Sequence, residues 1–259
     1  MKEKEVESGL KSLIEATRQY VDSAPRKTID MHNHYIDSNK KIYDEIEIRK
    51  LQYFIESYLY KFYLANMHLE QLWSLASYHK TENLLLKILK NIFDEHDTSD
   101  NNTILYSFSL ESFLIQATAF YHFYELYLYA FFKVENTRYH SEKKLLDKLS
   151  MVRGNSFEKK AEKVIAHYKV GDAKKNRTLL KELRHSSLHR DNVFPSFEQN
   201  INLLDKLIDG KEKWINEISC TDFCQSIQND MFYFVIDLSS NLYNLEWKPG
   251  PIIQACINR

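Results

Sequence analysis

The sequence predicts an all-α protein, a helical bundle preceded by an N-terminal helical region, and three observations carry that prediction. Only 5 of 259 residues are glycine and 4 are proline, where average usage would supply about 18 and about 13. Sheets, barrels and sandwiches need many tight turns, and turns consume both residues. Apolar residues make up 44% of the chain and aromatics 14%, enough to fill a sizeable core and to exclude general disorder. Apolar side chains also recur at three- and four-residue spacings over long stretches, which is the period of a helix.

Taken in order, a first helix is expected over residues 4–21. Asp22-Ser23-Ala24-Pro25 ends it, because the residue before a proline is pushed out of the helical region. A polar link with no clear period runs to Asn39. The period returns from Lys41 to His79, with Ile42, Ile46, Leu51, Phe54, Ile55, Tyr58, Leu59 and Phe62 at three- and four-residue spacings. Another helix is expected over 81–93. The segment DEHDTSDNNT at 94–103 is the most polar in the chain and marks the boundary between a region 1–100 and a bundle 101–259.

Past it, the aromatic run from Ser109 to Phe132 reads as a buried helix. Shorter helices follow at 141–150 and 157–168. Gly171-Asp172 supplies a break and an N-cap for a helix over 173–188. Pro195-Ser196 with Gln199 resembles a capping box. A last helix spans 221–245 and stops before Pro249-Gly250-Pro251.

Composition also bounds function. Cys220, Cys224 and Cys256 are too few and odd in number for a disulfide framework, which fits a reducing, cytoplasmic setting. Cys220 and Cys224 lack a second cysteine pair for a zinc site and read as buried structural thiols. The charged start MKEKEVE is followed by no apolar segment of the signal-peptide kind. The most apolar stretch, 113–132, carries Gln116, His122 and Glu125, which a lipid-facing helix would resist, so no membrane association is expected. Net charge is −1, yet residues 141–190 hold 14 Lys/Arg against 6 Asp/Glu. Such a block suits a partner bearing phosphates, or a solvated lysine face.

Three strings invite a chemical reading. Asp30-Met31-His32-Asn33-His34 resembles a metal-binding strand of amidohydrolase-like barrels, but the chain lacks the glycines and β-runs of a barrel, so two ordinary loop histidines are expected. No GxxxxGK[ST], GxGxxG or GxSxG loop is present. The third string is Glu182-Leu183-Arg184-His185-Ser186-Ser187-Leu188-His189-Arg190-Asp191.

That third string resembles the signature of the HEPN superfamily (higher eukaryote and prokaryote nucleotide-binding), in which an arginine, a polar residue and, several residues on, a histidine recur. Arg184, His185 and His189 occupy the three places, and the resemblance covers roughly 105–245. It implies a metal-independent endoribonuclease without cofactor, acting on RNA as a homodimer with two motifs facing one cleft. A toxin or antiviral-defence effector with an antitoxin or activator protein is the implied setting. Such cleavage uses the RNA's own 2′-hydroxyl as nucleophile. Histidine supplies a proton acceptor and donor near neutrality; arginine's planar fork suits the charge building on the phosphate. The roles implied are His189 as acid/base, Arg184 as phosphate clamp and His185 as orienting or phosphate-binding residue. Lys174, Lys175, Arg177 and Arg190 are the expected RNA-backbone contacts. The alternatives are a non-catalytic HEPN module binding RNA, nucleotide or a partner protein, and a purely structural scaffold. On an ideal helix His185 and His189 share a face while Arg184 and His189 stand about 140° apart, so either the helix frays near Ser186 or the working set is assembled across a dimer. The aromatic stripe of 121–132 is expected in a core or dimer interface rather than against bases.

Overall fold

The computed structural model describes residues 23–78, 98–134, 141–189, 206–208, 211–213 and 220–245, and within them the protein is all-α apart from one small hairpin. Helix α1 covers 23–38, α2 Glu45–Tyr78, α3 Thr98–Phe131, α4 Glu142–Leu149, α5 Asn155–Tyr168 and α6 Gly171–His189. Strands β1 (Lys206–Ile208) and β2 (Lys211–Lys213) pair antiparallel, Lys206 opposite Lys213. Helix α7 (Cys220–Tyr233) passes through a π-helical segment, Phe234–Leu238, into α8 (Ser239–Tyr243).

Local chemistry explains the boundaries. Asp44 and Glu47 form a reciprocal capping box at the start of α2, each backbone N–H donating to the other's carboxylate at 2.8 Å. Ser141 caps α4 in an extended conformation, its Oγ accepting from the Lys144 N–H at 3.3 Å. Gly154, before α5, sits at φ +113, where a side chain would be strained even though space is open around it. Asn244 closes α8 in the left-handed conformation, φ 56.

Three expectations about elements are corrected. The link expected before Asn39 is helical over 23–38, and it buries Thr28, His32, Tyr35 and Ile36. Pro25 lies within the described helix, whose φ its ring geometry matches. Gly171 and Asp172 are the first residues of α6, not a break before it. The hairpin was not anticipated. Residues 98–103 of the polar segment expected to be a boundary are instead the first turns of α3. Helices expected over 4–21 and 81–93, residues 94–97 of that segment, the Pro195 capping box and the stop at Pro249 lie outside the described residues, as do Arg190 and Cys256.

Compact packing divides the chain into two units, each drawn from separate segments. Among the described residues, one unit takes 23–59, 124–134, 141–166 and 232–245; the other takes 60–78, 98–123, 167–189, the hairpin and 220–231.

The core of the first unit is aromatic. Tyr58 meets the edges of Tyr124 and Tyr127 at 5.1 and 5.7 Å, and Tyr124 packs on Phe234 at 4.8 Å. The Thr28 hydroxyl lies 2.9 Å from the carbonyls of both Ala24 and Val235, its one proton shared between them, so α1 supplies a donor to a carbonyl of the π segment. In the second unit Phe62 and Phe120 pack at 6.2 Å, Lys61 reaches Gln116 at 3.0 Å, and Gln228 donates to Asn66. The aromatic run of α3 is core, as expected: Tyr121, Tyr124, Tyr127, Tyr129, Phe131 and Phe132 are buried. Among the described residues no helix is long and apolar enough to cross a membrane.

Candidate functional site

The motif sits at the C-terminal end of α6. This helix buries Arg177, Leu180 and Leu183 at three-residue spacing and leaves Lys174, Lys175, Thr178, Glu182 and Arg184 exposed. The helix runs unbroken through Ser186 to His189. Regular geometry therefore applies across the motif: positions 185 and 189 stack one turn apart, and 184 and 189 differ by about 140° in phase. Positions 185 and 189 share the helical phase of exposed Lys174 and Thr178, within about 60°. The side chains of His185 and His189 lie outside the described residues.

The basic block divides into different environments. Lys143, Lys144, Lys159, Lys163, Lys174 and Lys175 are exposed. Lys175 pairs with Asp172 at 3.5 Å, both so open to solvent that the contact contributes little. Lys160 is buried, its Nζ 4.3 Å above the Tyr35 ring and 5.5 Å from that of Phe131, and burial lowers its pKa to about 8. The rings oppose that shift by favouring the ammonium form.

Arg177 is the correction. Expected among the RNA contacts, it is 1% exposed. Its Nη1 donates to Asp230 Oδ2 at 2.8 Å, its Nη2 to the Tyr168 carbonyl at 2.9 Å, and its guanidinium lies 4.9 Å over the Tyr168 ring. A buried cation spent on a carboxylate has nothing left for a phosphate in solvent. Spacing along α6 explains the misreading: a lysine-rich helix also needs a core face, and here an arginine occupies it.

Around Asp230 the second unit builds its polar centre. The same oxygen that receives Arg177 accepts the Tyr121 hydroxyl at 2.7 Å, while His167 Nε2 lies 3.0 Å from the other oxygen. Burial pushes the Asp230 carboxyl up; His167, Arg177 and Tyr121 together outweigh it and hold the group below its usual 3.8. For Arg177, burial works against the charge and Asp230 more than offsets it. Such a carboxylate resists protonation and suits a lock better than a general base. Sequence reasoning missed His167, Asp230 and Tyr121. His167 and Asp230 are 63 residues apart, and no local spacing connects them.

No family model, no curated protein and no solved structure matches this chain.

The remaining sequence candidates resolve on geometry. His32 and His34 lie on a helix, where two residues of separation turns them to opposite faces; His32 is buried and His34 exposed. His32 is thus no loop residue: its Nδ1 lies 3.1 Å from the Tyr127 hydroxyl, which in turn meets the Tyr243 hydroxyl at 2.7 Å. Burial lowers its pKa to about 4. Its Nε2 has no hydrogen-bond partner among the described residues, which favours the tautomer with that nitrogen bare and Nδ1–H donating to Tyr127. Cys220 and Cys224 are buried free thiols, as expected, with burial pushing Cys220 up to about 12 and Cys224 well above its ordinary value. Among the described residues no three His, Cys, Asp or Glu side chains are grouped to hold a metal ion.

Proposed function

We propose that this chain is a metal-independent endoribonuclease of HEPN type, working as a homodimer. The setting is a toxin or antiviral-defence effector governed by an antitoxin or activator protein. The observation that carries the reading is the regularity of α6 through His189, together with the exposure of Arg184, Lys174 and Lys175. A straight helix separates Arg184 from His189 by about 140°, so one copy cannot bring both to the same phosphate. Two copies can, each offering a histidine face lined with lysines and an arginine to its side.

In this reading His189 takes the proton of the RNA 2′-hydroxyl, whose oxygen attacks the adjacent phosphorus. The bond to the 5′-oxygen breaks and that oxygen takes a proton from a histidinium, leaving a 2′,3′-cyclic phosphate on one product and a 5′-hydroxyl on the other. The two His189 of the dimer serve as base and acid, so no net proton is gained or lost. Arg184 stabilises the charge that develops on the phosphate, and His185, one turn from His189, orients it or binds phosphate. Lys174 and Lys175 attract the backbone irrespective of sequence. Arg177 has no part in the contact.

Cleavage of a labelled RNA tests this. His189→Ala should abolish cleavage while the circular dichroism spectrum stays unchanged, and Arg184→Ala should cost about 3–4 kcal/mol of transition-state stabilisation. The products should carry cyclic phosphate ends and form in EDTA. The rate should bend with pH near neutrality, where histidine titrates. Cleavage by His189→Ala at the parental rate, or its loss in EDTA, would leave the non-catalytic HEPN module as the better reading.

A further inference from the structure

Lys160 is an amine set apart from the rest of the basic block. Lys159 and Lys163 beside it on α5 are exposed, while Lys160 is 5% exposed. Its Nζ stands among three rings drawn from three helices. It lies 4.3 Å from the centre of Tyr35 on α1, 5.5 Å from Phe131 at the end of α3 and 6.0 Å from Phe157 on α5. Tyr35 packs on Phe131 at 5.4 Å and Phe131 on Phe157 at 5.8 Å, so the rings also touch one another. All four residues belong to the first unit. Among the described residues no carboxylate pairs with this amine and no acceptor takes its proton in a hydrogen bond.

An ammonium in such a place has only ring faces to offset the water it has lost. Burial outweighs them and brings its pKa to about 8. An ordinary lysine, with a value of about 10.4, is free amine in about one part per thousand at pH 7.4; a value of about 8 makes that about one fifth. Only the free amine attacks an electrophile. A less basic amine is the poorer nucleophile and the rings slow approach to it, leaving a net advantage of about 5-fold.

The same surroundings select the electrophile. In acylation by an acyl phosphate, Nζ forms a bond to the carbonyl carbon. That carbon's bond to the phosphate oxygen breaks, inorganic phosphate leaves, and the nitrogen's proton passes to solvent. An acetyl group leaves a neutral amide, which ring faces accept without a counter-ion. A succinyl group would leave a carboxylate against faces whose quadrupole is negative, which is costly.

We propose that Lys160 is a modification site that takes a small neutral acyl group from an acyl phosphate, ahead of the exposed lysines on the same helix. The site uses no residue of the Arg184–His189 motif and requires no RNA.

Treating the full chain with acetyl phosphate at pH 7.4 and mapping the acetylated peptides by mass tests it, with Lys159 and Lys163 as reference amines. Lys160 should be modified about 5-fold faster than either. Its rate should level off above about pH 8 instead of climbing toward pH 10 as an ordinary lysine's does. Acetic anhydride should reproduce the preference and succinic anhydride should lose it. In guanidinium chloride the three lysines should react alike, because the rings no longer surround one of them. Labelling of Lys160 no faster than its neighbours in the folded chain would overturn the site, as would a rate still climbing above pH 9. Equal preference with succinic anhydride would overturn the selection of neutral groups. A preference that survives unfolding would belong to the local sequence and overturn the role of the rings.

Discussion

Asp230 shows how much one side chain can determine. The Tyr121 hydroxyl from α3, His167 Nε2 from α5 and the Arg177 guanidinium from α6 lie 2.7–3.0 Å from its two oxygens, all in buried residues. Removing one partner of such a pair leaves a buried charge uncompensated, so Arg177→Met should destabilise the fold by about 3–5 kcal/mol, measured by urea denaturation. Replacing Arg177 and Asp230 together by apolar residues should cost less than the two single changes combined. His32 acts in the other unit. Its folded pKa of about 4 lies below the ordinary 6.5, so below pH 6.5 the unfolded chain takes up a proton that the folded chain refuses. Its contribution is complete above pH 6.5 and is lost as pH falls toward 4, a change of about 3 kcal/mol. Urea midpoints should fall over that window, and His32→Gln should flatten the slope. Asp230, held below 3.8, adds a second loss at lower pH.

At the scale of elements, the junction of α7 and α8 carries the sharpest local consequence. A π turn frees backbone carbonyls from their usual donors. Here the Ser239 hydroxyl donates to the Phe234 carbonyl at 3.0 Å, and Thr28 to that of Val235 at 2.9 Å. Thr28→Val keeps the shape and removes the second donor, so it should lower stability by about 1–2 kcal/mol in the same denaturation experiment. Helix α7 supplies another test. Cys220 and Cys224 are one turn apart, buried and held protonated. A maleimide at neutral pH should leave both unmodified in the folded chain and label both once urea unfolds it, because only the thiolate reacts.

For the whole molecule, the order of segments matters more than their number. Each compact unit takes segments from both sides of residue 100. A fragment 101–259 would lack α1 and α2, and with them Tyr58 against Tyr124 and Phe62 against Phe120. It should therefore show no cooperative thermal transition by circular dichroism, whereas the full chain should melt cooperatively. Interleaved segments bring together residues far apart in sequence, which favours slow closure over local folding.

The sequence by itself determined the helical class and most of the long helices. Those properties are local: scarce glycine and proline, a three-to-four residue period, and caps such as Ser141 act within a few residues of where they stand. It also displayed the Arg184-His185…His189 string and the lysines before it, because a motif is a spacing. Tertiary structure alone decided that Arg177 faces inward, that His32 belongs to an aromatic core rather than a loop, and that Asp230 is the centre of the second unit. A period identifies a face but not its partner, and a cation's charge does not reveal which carboxylate, 53 residues distant, will neutralise it.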